Sequence, residues 1–144
     1  MQVKDSMRLQ VTTVTPETLV STAYQLMTLR KSRIRHLPVV TRQNILVGML
    51  TDRDVRRAGG SDVPSMAEHE LQYLLEKLRV RDIMTREVVT VRGTTPLAEA
   101  GQIFLQKKFG CLPVIDNDNR LEGILTVTDL LRAYVEQYDP GREV

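Results

Sequence analysis

Two short motifs contain the residues whose types and spacing could do chemistry in this chain. Both have the pattern Gly-x-x-Thr-x-x-Asp, the first at residues 48–54 and the second at residues 123–129. In each, the aspartate stands at the start of a helix-like stretch. A fixed carboxylate can accept hydrogen bonds from both hydroxyls of a cis-diol, and a helix N-terminus offers free N–H groups to a phosphate. A well-capped helix that binds nothing shows the same residues, so both interpretations stay open.

The two motifs belong to a duplicated sequence. Their positions differ by 75, and so do those of two Leu-Pro-Val segments. Farther toward the N-terminus, a five-residue segment that begins at Val3 corresponds to one that begins at Val80, at an offset of 77. The first copy is therefore two residues longer, and we place the extra residues between Met27 and Pro38, in a turn where insertions are tolerated. The chain is predicted to contain two copies of one folding unit.

Apolar periodicity predicts an α/β fold with the same element order, β-α-β-β-α, in both copies. The elements expected in the first copy are a strand over 11–14, a helix over 17–28, hairpin strands over 37–40 and 45–50, and a helix capped by Thr51 or Asp52 that runs toward Ala58. Those expected in the second are a strand over 88–91, a helix over 96–104, hairpin strands over 112–115 and 121–125, and a helix capped by Thr126 or Thr128 that runs to about Tyr138. Each motif therefore lies where a strand ends and a helix begins.

Between the copies, residues 61–79 are predicted to form a linker and a connecting helix. Glycine, serine and proline at 59–64 indicate the linker, and Ser-Met-Ala-Glu at 65–68 fits a capping box that opens the helix. Leucines follow at 71, 74, 75 and 78, and we interpret them as core because the stripe is shorter than a coiled coil requires. The predicted boundaries are residues 3–60 for the first domain and 80–138 for the second.

Composition favours a globular protein with an uneven charge. A chain of 144 residues with 42% hydrophobic content can bury a core. It has no apolar run long enough to span a bilayer and no signal-peptide pattern, so we expect a cytoplasmic protein without membrane contact. Residues 1–64 carry ten Lys/Arg and five Asp/Glu, whereas residues 65–144 carry ten and thirteen. The clustered cations suit a multivalent anion, although a solvated helix face explains them equally well: Arg30, Lys31, Arg33, Arg35, Arg53, Arg56 and Arg57.

Catalysis, metal binding and nucleic-acid binding have little support among the residues. Nucleophilic catalysis needs a Cys or Ser with a His and a carboxylate, and the only histidines are His36 and His69. The single cysteine, Cys111, lies in an apolar strand and is expected to be a small buried residue. Residues 116–119 (Asp-Asn-Asp-Asn) lack the Gly and closing Glu of a calcium loop. The basic half has Tyr24 as its only aromatic residue, which makes a poor stacking surface for bases.

Taken together, the duplicated segments resemble the cystathionine-β-synthase (CBS) domain family, in the tandem arrangement called a Bateman module and found in stand-alone CBS-pair proteins. The features that carry the resemblance are the Val-Arg-Asp-Ile-Met-Thr opening at 80–85, the Leu-Pro-Val segments at 37–39 and 112–114, the two motifs, and the leucine-rich connecting helix. The resemblance implies two repeats packed about a pseudo-twofold axis. It also implies two clefts, each lined by parts of both repeats, and regulation by an adenosine ligand such as AMP, ADP, ATP or S-adenosylmethionine.

Residue roles in the clefts follow from the same resemblance, position by position. Asp54 and Asp129 would accept hydrogen bonds from ribose hydroxyls. Thr51 and Thr126 would offer hydroxyls to ribose or phosphate. Residues that would border the adenine are Arg35, His36, Gly110 and Cys111. The opposite walls would come from Val14, Thr15, Val91 and Arg92.

The first motif is expected to be the better nucleotide site. Three arginines flank its aspartate, whereas Arg132 is the one cation near Asp129 in the sequence; the three are Arg53, Arg56 and Arg57. The second motif could still take an uncharged adenosine group. Because CBS pairs commonly form disc-like dimers, the resemblance also implies a homodimer that acts on an unidentified protein. A structural dimerisation or protein-interaction module with empty clefts is the alternative to ligand sensing.

Overall fold

The computed structural model of the chain describes residues 1–28, 34–59, 73, 75–139 and 141. The helices with defined bounds are α1 (Val20–Thr28), α2 (Asp52–Ala58), α3 (Val80–Ile83), α4 (Leu97–Lys107) and α5 (Val127–Tyr138). The strands are β1 (His36–Val40), β2 (Leu46–Thr51), β3 (Cys111–Ile115) and β4 (Leu121–Thr126). A short 3-10 helix at Val3–Asp5 precedes them. The mixed α/β class predicted from the sequence is confirmed, and the capping box predicted at 65–68 lies outside the described residues.

Two antiparallel hairpins reproduce the repeat in detail. In β1 and β2, His36 lies opposite Thr51, and in β3 and β4, Cys111 lies opposite Thr126. Both hairpins have a register shift one residue from the end of their first strand, between residues 39 and 40 and between 114 and 115. Their turns contain asparagines with positive φ, 65° at Asn44 and 62° at Asn119. Asparagine tolerates this left-handed conformation better than most side chains, so the predicted turns are confirmed.

The strands predicted at 11–14 and 88–91 are wrong in extent, because each contributes a single parallel bridge. Val14 bridges Val39: its N–H donates to the Pro38 carbonyl at 3.1 Å, and the Val40 N–H donates to the Val14 carbonyl at 2.9 Å. The next bonds of a parallel ladder would need N–H groups from Pro38 and Pro16, which prolines lack. Val91 bridges Val114 in the same way, next to a proline at 113. Proline therefore limits the pairing that apolar patterning suggested.

The compact units of the structure differ from the sequence repeats. One unit, here called the central unit, consists of residues 12–88, and the other, the split unit, consists of residues 1–11 and 89–144. Each unit thus contains the opening segment of the other repeat. The boundaries 3–60 and 80–138 therefore describe the repeats and stay a prediction for the domains.

The exchanged segments are attached by backbone bridges beside the motif glycines. In the central unit, Met49 and Thr85 exchange two N–H to carbonyl bonds of 2.9 Å. In the split unit, Arg8 and Ile124 exchange bonds of 2.9 and 3.0 Å. A Cβ atom built on Gly123 would lie 2.5 Å from the Arg8 carbonyl oxygen, and one on Gly48 would lie 2.9 Å from that of Thr85. The motif glycines are therefore required by the passing backbone.

Each unit has its own apolar core. The buried residues of the central core are Val14, Val20, Ala23, Met27, Leu37, Val39, Leu50, Val55, Leu75 and Val80. Those of the split core are Val3, Val91, Leu97, Ala100, Phe104, Leu112, Val114, Leu125 and Ala133. Leu75 belongs to the first set, which agrees with our interpretation of the leucine stripe as core, while leucines 71 and 74 lie outside the described residues. Both hairpins are fixed from one face by these cores, so the strand ends that lead to the motifs are held in place.

Candidate functional site

Thr51 and Asp54 form a reciprocal capping pair at the start of α2. Oγ1 of Thr51 accepts from the Asp54 N–H at 3.1 Å, and Oδ2 of Asp54 accepts from the Thr51 N–H at 3.0 Å. Of the two caps named from the sequence, Thr51 rather than Asp52 caps this helix. The N–H of Asp52 donates to the Arg35 carbonyl at 3.0 Å. Two of the first three N–H groups of α2 are therefore engaged and are not open to a phosphate.

Thr126 and Asp129 repeat this arrangement at the start of α5. Oδ2 of Asp129 accepts from the Thr126 N–H at 2.8 Å and from the Thr126 hydroxyl at 2.9 Å. The Asp129 N–H donates to Thr126 Oγ1, at 3.2 Å. Of the two candidates named from the sequence, Thr126 rather than Thr128 is the cap.

The Asp54 carboxylate has one further partner, Thr85 of the exchanged segment. Oγ1 of Thr85 lies 3.3 Å from both carboxylate oxygens of Asp54. Because a hydroxyl has one proton, this is a single shared hydrogen bond. Together with the Thr51 N–H, Asp54 accepts two hydrogen bonds within the described part of the chain. A carboxylate has about four acceptor positions, so about two stay open, which is the number that a diol requires.

The Asp129 carboxylate is surrounded much more closely. Its Oδ1 accepts from Nε of Arg8 at 3.1 Å and from Nη1 of Arg132 at 3.0 Å, and its side chain is 0% exposed. Burial opposes ionisation, but hydrogen bonds from Thr126 and Arg8 outweigh it, so the pKa of Asp129 is lowered. With four donors on two oxygens, its acceptor positions are all occupied.

The cations are therefore not distributed as the sequence suggested. Arg56 pairs with Asp52 at 3.4 Å, and in the described residues no bond joins Arg53 or Arg57 to Asp54. The expectation of one cation near Asp129 is wrong, because Arg8 contacts it from 121 positions away. The basic residues at 30, 31 and 33 lie outside the described residues. Arg8 and Thr85 were missed, although both directly follow the paired Met7 and Met84 at the same offset of 77.

The residues predicted to border the adenine lie at the starts of β1 and β3, beside the motif threonines. His36 follows the exposed Arg35, and burial lowers the pKa of its imidazole, helped by Arg35 and opposed by the carboxylates of Asp52 and Asp54. The lowered pKa therefore favours the neutral imidazole at pH 7.

Cys111 occupies the matching place in the other unit, after the exposed Gly110. Burial, together with the charge of Asp129, raises the pKa of its thiol to about 12. The buried cysteine expected from the sequence is confirmed.

The residues predicted for the opposite walls lie at the far end of each hairpin. Val14 and Thr15 are beside the turn after β1, which is about four residues, or roughly 13 Å, from His36. Thr15 lines an open cavity of about 440 Å³ with Pro16, Glu17, Thr41, Arg42 and Gln43. In the split unit, Val91 is buried and Arg92 donates from Nη1 to the side-chain oxygen of Asn117 in the turn. Within each unit, the adenine-border residues and the wall residues are therefore separate, and their joint role stays a prediction.

The described residues offer neither a metal site nor a membrane-spanning helix. They contain no group of three or more His, Cys, Asp or Glu side chains that could bind a metal ion. None of their helices is long and apolar enough to cross a membrane. His69 lies outside them.

Comparison with known proteins identifies the family. The CBS domain model matches residues 3–61 and 80–136, which cover both repeats. The chain belongs to the CBS domain family. A CBS domain-containing protein of Dictyostelium discoideum is 36% identical over 141 residues, covering 96% of this chain and 94% of that protein. The family predicted from the sequence is confirmed.

Solved CBS-pair structures have the same fold, and some contain adenosine ligands. CBSX2 in complex with AMP has a TM-score of 0.78 at 32% identity, covering 95% of this chain and 98% of that one; CBSX2 comes from Arabidopsis thaliana. The CBS domain pair of protein MJ0100, in complex with 5′-methylthioadenosine and S-adenosyl-L-methionine, has a TM-score of 0.76 at 25% identity, covering 95% and 98%. Ligands that contain an adenosine group are therefore bound by relatives of this chain.

Proposed function

We propose that this chain is a regulatory module that binds an adenosine-containing ligand, of the class AMP, ADP, ATP or S-adenosyl-L-methionine, through the Asp54 motif. The observation that carries the proposal is the open acceptor capacity of Asp54. Its carboxylate is fixed by Thr51 and Thr85, yet about two acceptor positions stay open to the hydroxyls of a ribose. The AMP bound by CBSX2 and the ligands bound by MJ0100 support the same ligand class.

The neighbouring residues suit such a ligand. Oγ1 of Thr51 accepts a backbone hydrogen bond, which leaves the hydroxyl proton to be donated to ribose or phosphate. His36 is neutral and half-buried, as an edge that packs against an adenine should be. Arg35 and Arg53 are exposed and can approach a phosphate. We propose the second motif, with Gly110 and Cys111 at its edge, as a second adenosine site, in which the aspartate carboxylate has fewer open acceptor positions.

We assign this binding to regulation rather than to catalysis. The Cys111 thiol is protonated at neutral pH because its pKa is about 12, and none of the hydrogen bonds described for the chain joins the His36 side chain to a serine or cysteine. A bound ligand would therefore change the stability or the partner contacts of the chain. The regulated partner is proposed to be a separate protein. Cytoplasmic location stays a prediction from the sequence, and the related CBSX2 is named as chloroplastic.

Titration calorimetry with AMP, ADP, ATP and S-adenosyl-L-methionine tests the proposal, after a thermal-shift screen selects the ligand. Asp54→Ala removes a charge-assisted acceptor and should weaken binding by about 1.5–3 kcal/mol, or roughly tenfold or more. Asp52→Ala is the matched control, because Asp52 is the neighbouring carboxylate and pairs with Arg56. Equal losses for the two variants, or no binding of any of the four ligands by the unchanged chain, would contradict the proposal.

Homodimerisation is a second candidate function, and one surface favours it. Helix α5 exposes four large apolar residues spaced by four, three and four positions, which places them on one face; they are Val127, Leu131, Tyr134 and Tyr138. The rings of the two tyrosines are 4.6 Å apart. The equivalent positions on α2 begin with Asp52 and Arg56, which form an ion pair instead. A second copy of α5 would cover this face with matching residues.

Sedimentation velocity tests this second candidate. Leu131→Glu should convert a dimer into a monomer, because it places a charge in the centre of the apolar face. Leu105→Glu is the control, since Leu105 is an exposed leucine of α4, at 76% of its surface. A chain that sediments as a monomer before any change would exclude the dimer, and equal effects of the two substitutions would exclude this face.

A further inference from the structure

The two motif aspartates differ most in the neighbour that the opening segment supplies, which is Arg8 at Asp129 and Thr85 at Asp54. Both residues directly follow the paired Met7 and Met84, and both form a backbone bridge to the residue after the motif glycine, Ile124 or Met49. Both also donate a side-chain hydrogen bond to the motif aspartate. One of them is a threonine with a single proton to donate, whereas the other is a charged arginine. The side chain at this position, together with Arg132 beside Asp129, therefore decides how much of the aspartate is left for a ligand.

At Asp129 no acceptor position of the carboxylate is left for a ligand. Oδ2 accepts from the N–H and hydroxyl of Thr126, and Oδ1 accepts from Arg8 and Arg132. A ribose diol would have to displace at least one guanidinium from a side chain that is 0% exposed. An uncharged ligand offers no compensation for the broken ion pair, because its hydroxyls are weaker donors than a guanidinium.

A phosphate group on the ligand can compensate for the broken ion pair. The Arg8 side chain is 54% exposed and contacts Asp129 through Nε, so its Nη groups can reach an incoming anion. A guanidinium group binds the oxygens of a phosphate with the same bidentate geometry that it uses for a carboxylate. When the ribose of an anionic ligand displaces Arg8 from Asp129, the phosphate of that ligand can therefore replace the carboxylate as the partner of Arg8.

We propose that Arg8 closes the Asp129 motif to uncharged adenosine ligands and makes it selective for adenosine ligands that carry a phosphate. The Asp54 motif has Thr85 in the equivalent place and accepts both classes. This inference rests on the proposed function, since it assigns the ligand class of the second motif. It reverses the order expected from the sequence, in which the second motif was the one suited to an uncharged group.

Titration calorimetry with adenosine and with AMP gives the test, read as moles of ligand bound per chain. The unchanged chain should bind one adenosine and two AMP. Arg8→Thr replaces the guanidinium by an uncharged hydroxyl, which a ribose diol can displace together with the Thr126 hydroxyl while Arg132 keeps its place, so this variant should bind two adenosine. Arg120→Gln is the charge-matched control, because Arg120 belongs to the same unit and pairs with Asp118 at 3.9 Å. It should still bind one adenosine.

The outcomes separate this inference from the proposed function. If the unchanged chain binds no adenosine and Arg8→Thr binds one, the Asp54 assignment fails and the role of Arg8 stands. If Arg8→Thr gains no adenosine site, or if the unchanged chain already binds two, the role of Arg8 is refuted. Binding of a single AMP by the unchanged chain would refute the phosphate selectivity. Circular dichroism checks the fold of each variant, and Arg8→Gln replaces Arg8→Thr if the latter is unfolded.

Discussion

Gly123→Ala should destabilise the chain strongly, because a methyl group at this position has no room. Its Cβ would lie 2.5 Å from the Arg8 carbonyl oxygen and 3.1 Å from Sδ of Met7. To reach 3.4 Å, where ordinary contact begins, the Arg8 carbonyl must move by about 0.9 Å. That carbonyl accepts from the Ile124 N–H at 3.0 Å, and the reciprocal bond from the Arg8 N–H is 2.9 Å long. The displacement therefore breaks the bridge that attaches the exchanged segment.

The expected cost combines two contributions. Overpacking costs about 1–3 kcal/mol, and the two lost hydrogen bonds cost about 0.5–1.5 kcal/mol each, so a loss of roughly 2–6 kcal/mol is expected. For a chain of this size, each kcal/mol lowers the melting temperature by about 2–4 °C, which gives a decrease on the order of 4–24 °C.

Scanning calorimetry measures this decrease, and a second glycine supplies the control. Gly101 lies in α4, where a new Cβ would meet Leu130 at 3.7 Å, an ordinary contact. Gly101→Ala should leave stability unchanged or raise it by up to about 1 kcal/mol, because alanine is the better helix former. A melting temperature of Gly123→Ala within about 2 °C of the unchanged chain would show that the segment from Met7 to Arg8 yields freely, and our account of the motif glycine would be wrong.

Two further predictions concern ionisation. Asp129→Asn removes the charge that binds Arg8 and Arg132, so it should lower the free energy of unfolding by about 2 kcal/mol at pH 7. The pKa of Asp129 is lowered in the folded chain, so this contribution to stability is complete above the ordinary aspartate pKa of 3.8. It is lost as the pH falls through the folded pKa. The melting temperatures of the two chains should therefore converge at that low pH. Cys111, with a pKa of about 12, should react with iodoacetamide at pH 8 about a thousandfold more slowly in the native chain than in denaturant. A difference in melting temperature between the two chains that does not shrink at any pH below 3.8, or equal alkylation rates, would contradict these two accounts.

The local structure could be predicted from the sequence because its signals are short-range. The Thr51 and Asp54 hydrogen bonds join residues three positions apart, and the hairpin turn at Asn44 depends on a few neighbouring residues. These patterns fix the capping pairs and the register of both hairpins. The predicted strand over 11–14 failed for a local reason too, since the prolines at 16 and 38 remove the donors that a longer ladder needs.

The character of the two motifs could not be predicted in this way. The contact between Arg8 and Asp129 joins residues 121 positions apart, and that between Thr85 and Asp54 joins residues 31 apart. Sequence proximity pointed instead to Arg53 and Arg57, but among the described residues no hydrogen bond or ion pair joins either of them to Asp54. Repeat alignment contains the missing signal, because positions 8 and 85 share the same offset as the segments that precede them. This correspondence points to the two aspartates only because each compact unit contains the opening segment of the other repeat.

The exchange of opening segments also sets the order in which contacts become available to a chain that grows from its N-terminus. The central unit is one continuous stretch, so all of its partners exist once residue 88 has been synthesised. The split unit is different, because residues 1–11 must wait for residues 89–144. Val3, fully buried in the finished core, and Arg8 therefore stay without their permanent neighbours while more than half of the chain is made. Closing this loop carries a larger entropic cost than closing the shorter loops of the central unit, so we expect residues 1–11 to be secured only after the central unit has formed.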